Sequence, residues 1–154
     1  MQNAEVLIRI VHIFAAVMVG GAAFYQLIAV RPALLELDEA SRQKAWHGIA
    51  RRWFGMVITL LVVLLATGLY NFIAIRVPAL RGKPSAGLYH ALFGVKFLAV
   101  LAAFHAATVL SLPGARGDRW RARGGFWLPF LGLMITIAIV LGGLLTRFET
   151  VFSN

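Results

Sequence analysis

Residues 53–75 read WFGMVITLLVVLLATGLYNFIAI, a run without one charged side chain and with polar groups gathered near its end. At about 1.5 Å of rise per residue this run is roughly 34 Å long as a helix, enough to cross a bilayer's hydrocarbon core. Working outward from it, three more stretches have the same character: 5–30, 87–111 and 126–146. The chain has 154 residues, 60% hydrophobic and 14% charged, and its mean hydropathy is +0.82. That leaves too few polar residues to clothe a soluble domain. The expectation is one all-α domain over 1–154, an integral membrane four-helix bundle. The first stretch is longer than a signal-peptide core, and its leader MQNAEVLIR holds one base and one acid, so it is read as a retained span.

Between the first two spans, LLELDEASRQKAWHGIARRW (34–53) has apolar residues at helical spacing, with Asp38 or Ser41 as a cap. It predicts a short interfacial helix feeding span two, with Trp46 and Trp53 at headgroup level. The connection 76–87 is rich in Pro and Gly, and LPGARGDRWRARGG (112–125) reads as a basic, irregular loop. Pro129 is expected in the first turn of span four. The cluster GGAA at Gly20–Ala23 suits close approach by another helix or a flat ligand, so a second copy or a membrane subunit is a candidate partner.

The formal charge is +9 and there is no cysteine, which excludes disulfides, thiolate metal sites and thiol catalysis. Nucleic acid is not the expected partner, because the bases lie in loops beside the spans, facing lipid headgroups. Arg31, Arg42, Lys44, Arg51, Arg52, Arg116, Arg119, Arg121 and Arg123 fall on one side; Arg9, Arg76, Arg81, Lys83 and Arg147 fall on the other. The positive-inside rule then puts both termini outside, periplasmic in a bacterial-type inner membrane.

Three polar residues interrupt the spans at one depth. His12 lies seven residues in from position 5, Thr67 eight from 75 and Lys96 nine from 87, roughly 10–14 Å below the outer surface. Asn71, Tyr89 and His90 lie above them. Tyr89 and Lys96 share a helix face with Phe93 between them, whereas His90 points about 100° away and His105 faces nearly opposite Lys96. The six acids, Glu5, Glu36, Asp38, Glu39, Asp118 and Glu149, all sit at span ends or in loops. Lys96 therefore has no carboxylate at its depth. It must snorkel, lose its proton, or meet an anion from outside the chain. A porphyrin, with its propionates, is a membrane-soluble anion of that kind. His12 fits the same ligand as an axial donor to haem iron, its alternative being a hydrogen bond to Thr67 or a backbone carbonyl. The candidate cofactor site is thus His12, Thr67, Asn71, Tyr89, His90 and Lys96, with His12 and His90 as candidate metal ligands.

Four spans, an early histidine in the first, RR before the second, TGLYNF closing it and YHALFGVKFLAVLAAFH in the third together resemble a known family. It joins CopD-type copper-resistance membrane domains and HemJ-type protoporphyrinogen oxidases. The resemblance implies a haem b-binding membrane protein that oxidises a porphyrinogen, with His12 as the span-one histidine and Lys96 as the catalytically important span-three lysine. Its CopD side implies copper handling without catalysis instead; for that, Met18, Met56 and Met134 are the soft side chains, scattered in depth, and their alternative role is to fill gaps in the core. An accessory subunit of a membrane complex is the third expectation.

Overall fold

The computed structural model describes residues 2–148. Glu149, one of the acids counted above, lies outside the described residues. Among those described the chain is helical, with no strand. Four helices are long and apolar enough to cross a membrane: Asn3–Leu35, Glu39–Ala79, Ala86–Ser111 and Gly124–Thr146.

The first is composite. Helix α1 (Gln2–Tyr25) passes through a π-helical turn, Gln26–Val30, into α2 (Arg31–Leu35). The second repeats the device, with α3 (Glu39–Tyr70) passing through Asn71–Arg76 into α4 (Val77–Ala79). In each turn the residue before a proline donates across five residues: Arg31 N–H to the Gln26 carbonyl, Val77 N–H to the Phe72 carbonyl. Pro32 and Pro78 have no N–H, and their rings would crowd the carbonyl four residues back. Widening the preceding turn relieves that crowding without ending the helix.

The segment expected as a separate interfacial helix is divided differently. Leu34 and Leu35 end α2, Asp38 caps α3 by accepting from the Ser41 N–H at 3.1 Å, and the chain from Glu39 runs straight into span two. Nothing between Ala50 and Phe54 can stop it, since Arg51 and Arg52 are good helix formers. The loop expected to be irregular instead holds α6 (Ala115–Ala122), after α5 (Ala86–Ser111) and a turn at Gly114 with φ +74°. Asp118 in the first turn of α6 and Arg119 and Arg121 in its last suit the helix dipole. Helix α7 (Gly124–Thr146) starts earlier than expected, so Pro129 lies inside it and not in its first turn.

Helix α1 packs on α3, α3 on α5, α5 on α7 and α7 back on α1, closing a four-membered ring. Alanines carry the main core, with Ala103, Ala106 and Ala107 of α5 set against Leu128, Leu131 and Ile135 of α7. Large apolar side chains point outward instead: Val17 is 66% exposed, Leu98 67% and Ile28 73%. A helix in water would turn that stripe inward. The two basic segments meet at one end, hereafter the basic end, where His47 of α3 bonds Asp118 of α6 at 3.0 Å. At the distal end Leu80, Tyr89, Leu145 and Phe148 form a second, smaller core.

Candidate cofactor site

The His12 ring on α1 faces α3, where its Nδ1 lies 2.7 Å from the Thr67 hydroxyl oxygen. That hydroxyl also lies 2.6 Å from the Val63 carbonyl on its own helix. With its one proton given to that carbonyl, Thr67 accepts from the ring. That arrangement corresponds to the tautomer with the proton on His12 Nδ1 and the lone pair on Nε2. An imidazole fixed through one nitrogen with the other bare is how proteins present histidine to a metal. The hydrogen bond weighed as the alternative to ligation is present, and it does not consume the nitrogen that ligation needs.

Gly68 makes the approach possible. A Cβ there would stand 3.3 Å from His12 Cε1 and 3.9 Å from Nδ1, so an alanine would require the ring to give way by a few tenths of an ångström. Asn71 donates from Nδ2 to the Thr67 carbonyl at 3.0 Å, which occupies its amide within its own helix at the start of the π turn.

Lys96 on α5 is half-buried and lies within electrostatic reach of His12. Its stem climbs toward the distal end of α7, where a Cβ on Gly142 would sit 3.3 Å from Nζ. The climb is what snorkelling expects, but it ends beside Gly142, a turn short of Thr146. The ion pairs among the described residues are Glu39 with Arg42 and Asp118 with His47 and Arg121, so no described carboxylate serves Lys96.

The other expected site residues are placed differently. Tyr89 is 5% exposed, packed edge-on against Phe148 in the distal core. Phe93, expected between Tyr89 and Lys96, stacks on Phe72 with ring centroids 3.7 Å apart. His90 is exposed and meets the edges of Phe72 and Tyr89. His105 is exposed beside Trp120 and Trp127 at the basic end. Among the described residues no three His, Asp or Glu side chains gather as a metal cluster. Met18 and Met56 lie on the outer surface, and Met134 packs on the core.

The structure thus joins His12, Thr67 and Asn71, places Lys96 beside Gly142 within electrostatic reach of His12, and sets Tyr89 and His90 nearer the distal end. Gly68 and Gly142 escaped the sequence reading as site residues. Their only signal was position, one directly after Thr67 and one in the Gly142-Gly143 pair. Chemically, the set offers an imidazole nitrogen without a described partner and an ammonium that no described carboxylate serves. No family model, curated protein or solved structure matches this chain.

Proposed function

We propose that this chain is a multi-pass membrane protein that binds haem b in the outer half of its bundle and acts in redox chemistry on a porphyrin or porphyrinogen. The observation that carries the reading is the His12–Thr67–Val63 relay, which leaves Nε2 as a candidate iron ligand, together with a lysine that no described carboxylate serves. The donor set fits the group: a neutral imidazole for iron, an ammonium for a propionate. Both side chains are half-exposed, so neither needs a closed cavity to be reached. Bound haem would supply one-electron chemistry. The protein's part is to fix the His12 ring through Thr67, keep that ring close through Gly68, and hold a carboxylate at Lys96 Nζ. The excess of bases on the 31–52 and 112–125 segments supports an orientation with both termini periplasmic in a bacterial-type inner membrane.

The test is an absorption spectrum of detergent-purified protein, oxidised and reduced. The parent should carry a Soret band that His12→Ala abolishes and that the exposed control His47→Ala leaves intact. A colourless parent that takes up no added haem would overturn the reading.

A further inference from the structure

The ends of the first two spans are written in nearly the same residues. Residues 25–34 read YQLIAVRPAL and residues 70–80 read YNFIAIRVPAL, with one extra residue before the proline. The structure repeats with the sequence. Each copy passes through a π-helical turn, Gln26–Val30 or Asn71–Arg76. Each exposes its isoleucine, Ile28 or Ile73, and buries its last leucine, Leu34 or Leu80. Because α1 and α3 pack together as consecutive spans, the two copies run in opposite directions across the membrane, as an inverted repeat. The offset from Tyr25 to Tyr70 is 45 residues. Applied to the His12 site, it carries His12 to Val57, Thr67 back to Ala22 and Gly68 back to Ala23. Val57 and Ala23 do lie in one core. The approach of His12 to Gly68 therefore has a counterpart nearer the basic end, with a valine in the place of the histidine.

Valine reaches less far than histidine, and at the counterpart lies a cavity of about 20 Å³ bordered by Ala22, Ala23, Val57, Gln26, Trp53 and Ser111. Ser111, the last residue of α5, is the one buried polar residue among those described. Neither its hydroxyl nor the Gln26 amide has a hydrogen-bond partner among the described residues. A hydroxyl withdrawn from bulk water without a partner costs stability. The Ser111 oxygen is not sealed, since Arg121 Nε is the one fully enclosed polar atom without a partner among the described residues. We infer that this cavity binds one water molecule, held between the Gln26 amide and the Ser111 hydroxyl in the place that the His12 ring takes in the other copy. Both groups can donate and accept, as water does. The space exceeds the roughly 10–15 Å³ that one water needs and is too small for an organic ligand. The water ties the π turn that begins at Gln26 to the end of α5. This site rests on the repeat and does not depend on the proposed haem function.

The experiment is a high-resolution crystal structure of the full chain, with and without xenon pressure, joined to thermal melting of variants in detergent. The parent should show a water within hydrogen-bond distance of the Gln26 amide and Ser111 Oγ. Xenon should leave the site alone, because it enters dry apolar cavities. Ser111→Ala and Gln26→Met should each melt a few degrees lower than the parent. The double variant should melt little lower than either, since both substitutions release the same water. Val57→His combined with Ala23→Gly rebuilds the outer arrangement and should put a ring where the water was. The inference is overturned if the site is empty, if xenon enters it, or if Gln26 and Ser111 bond each other directly. It is also overturned if Ser111→Ala melts no lower than the parent, or if the two melting losses simply add. A water retained beside the new ring would overturn the correspondence with the His12 site. Should that rebuilt variant fail to fold, the parent's density and the Ser111→Ala melt decide.

Discussion

Arg121 is a buried base and Lys96 a half-buried one, at different levels of the bundle, and their surroundings differ in kind. Arg121 Nη1 donates to the Leu112 carbonyl at 2.6 Å and the Leu110 carbonyl at 3.2 Å, and Nη2 meets Asp118 at 2.6 Å. It ties the end of α5 to α6 with groups the chain provides. Lys96 has the Gly142 backbone beside it and no described carboxylate. The chain satisfies Arg121 with its own groups, whereas no described carboxylate serves Lys96, and on that difference the ligand proposed for Lys96 rests.

The sharpest break of this comparison is Arg121→Met. It strands two carbonyls and a carboxylate, so it should cost about 3 kcal/mol and lower the melting temperature in detergent, whereas Lys96→Met should melt no lower than the parent. Equal melting losses for the two would erase the distinction. Gly117→Ala attacks the same joint sterically, since its Cβ would fall 1.8 Å from the Leu112 carbonyl oxygen and 2.5 Å from Arg121 Nη1. It should destabilise by about 2 kcal/mol, seen as a lower melting temperature with unchanged haem affinity per folded molecule.

At the other site Thr67→Val keeps the shape of the side chain and removes the acceptor for His12. Haem affinity should fall about tenfold, read from a titration of the Soret band, with folding preserved.

The smallest effect concerns Asp118. Partial burial pushes its carboxyl up, but hydrogen bonds from His47 and Arg121 and the Arg121 charge outweigh that and hold it below the usual carboxylate range. With a folded pKa below the unfolded value of about 4, its stabilisation is present above that value and is lost as pH falls through the lower one. The side chain is 38% exposed, so solvent screening keeps the contribution modest. Asp118→Asn should flatten the acid limb of a melting-temperature profile against pH and leave the neutral value slightly lowered.

Much of this was legible in the chain. Runs of apolar residues located four helices, because length and hydropathy are local properties. The common depth of His12 and Thr67 also followed, since antiparallel spans of known rise align by counting. What counting could not give was rotation about each helix axis. The contact of His12 with Gly68, the climb of Lys96 to Gly142 and the seating of Tyr89 under Phe148 depend on which faces meet. The continuity of Glu39–Ala79 was missed because an amphipathic segment reads alike whether it lies along an interface or extends a span. Helix α6 was missed because the carbonyls that hold it through Arg121, those of Leu110 and Leu112, lie at and just beyond the end of another helix.

The central claim is that Lys96 is placed for a ligand carboxylate, and it is tested most directly by changing both partners. Haem and its dimethyl ester, whose propionates are masked, are titrated against the parent and Lys96→Met, with affinity read from the Soret band. The parent should bind free-acid haem about tenfold or more tightly than the ester, as expected for a charge-assisted hydrogen bond, and Lys96→Met should bind the two alike. An equal preference in both proteins, or none in either, would mean that Lys96 meets no propionate.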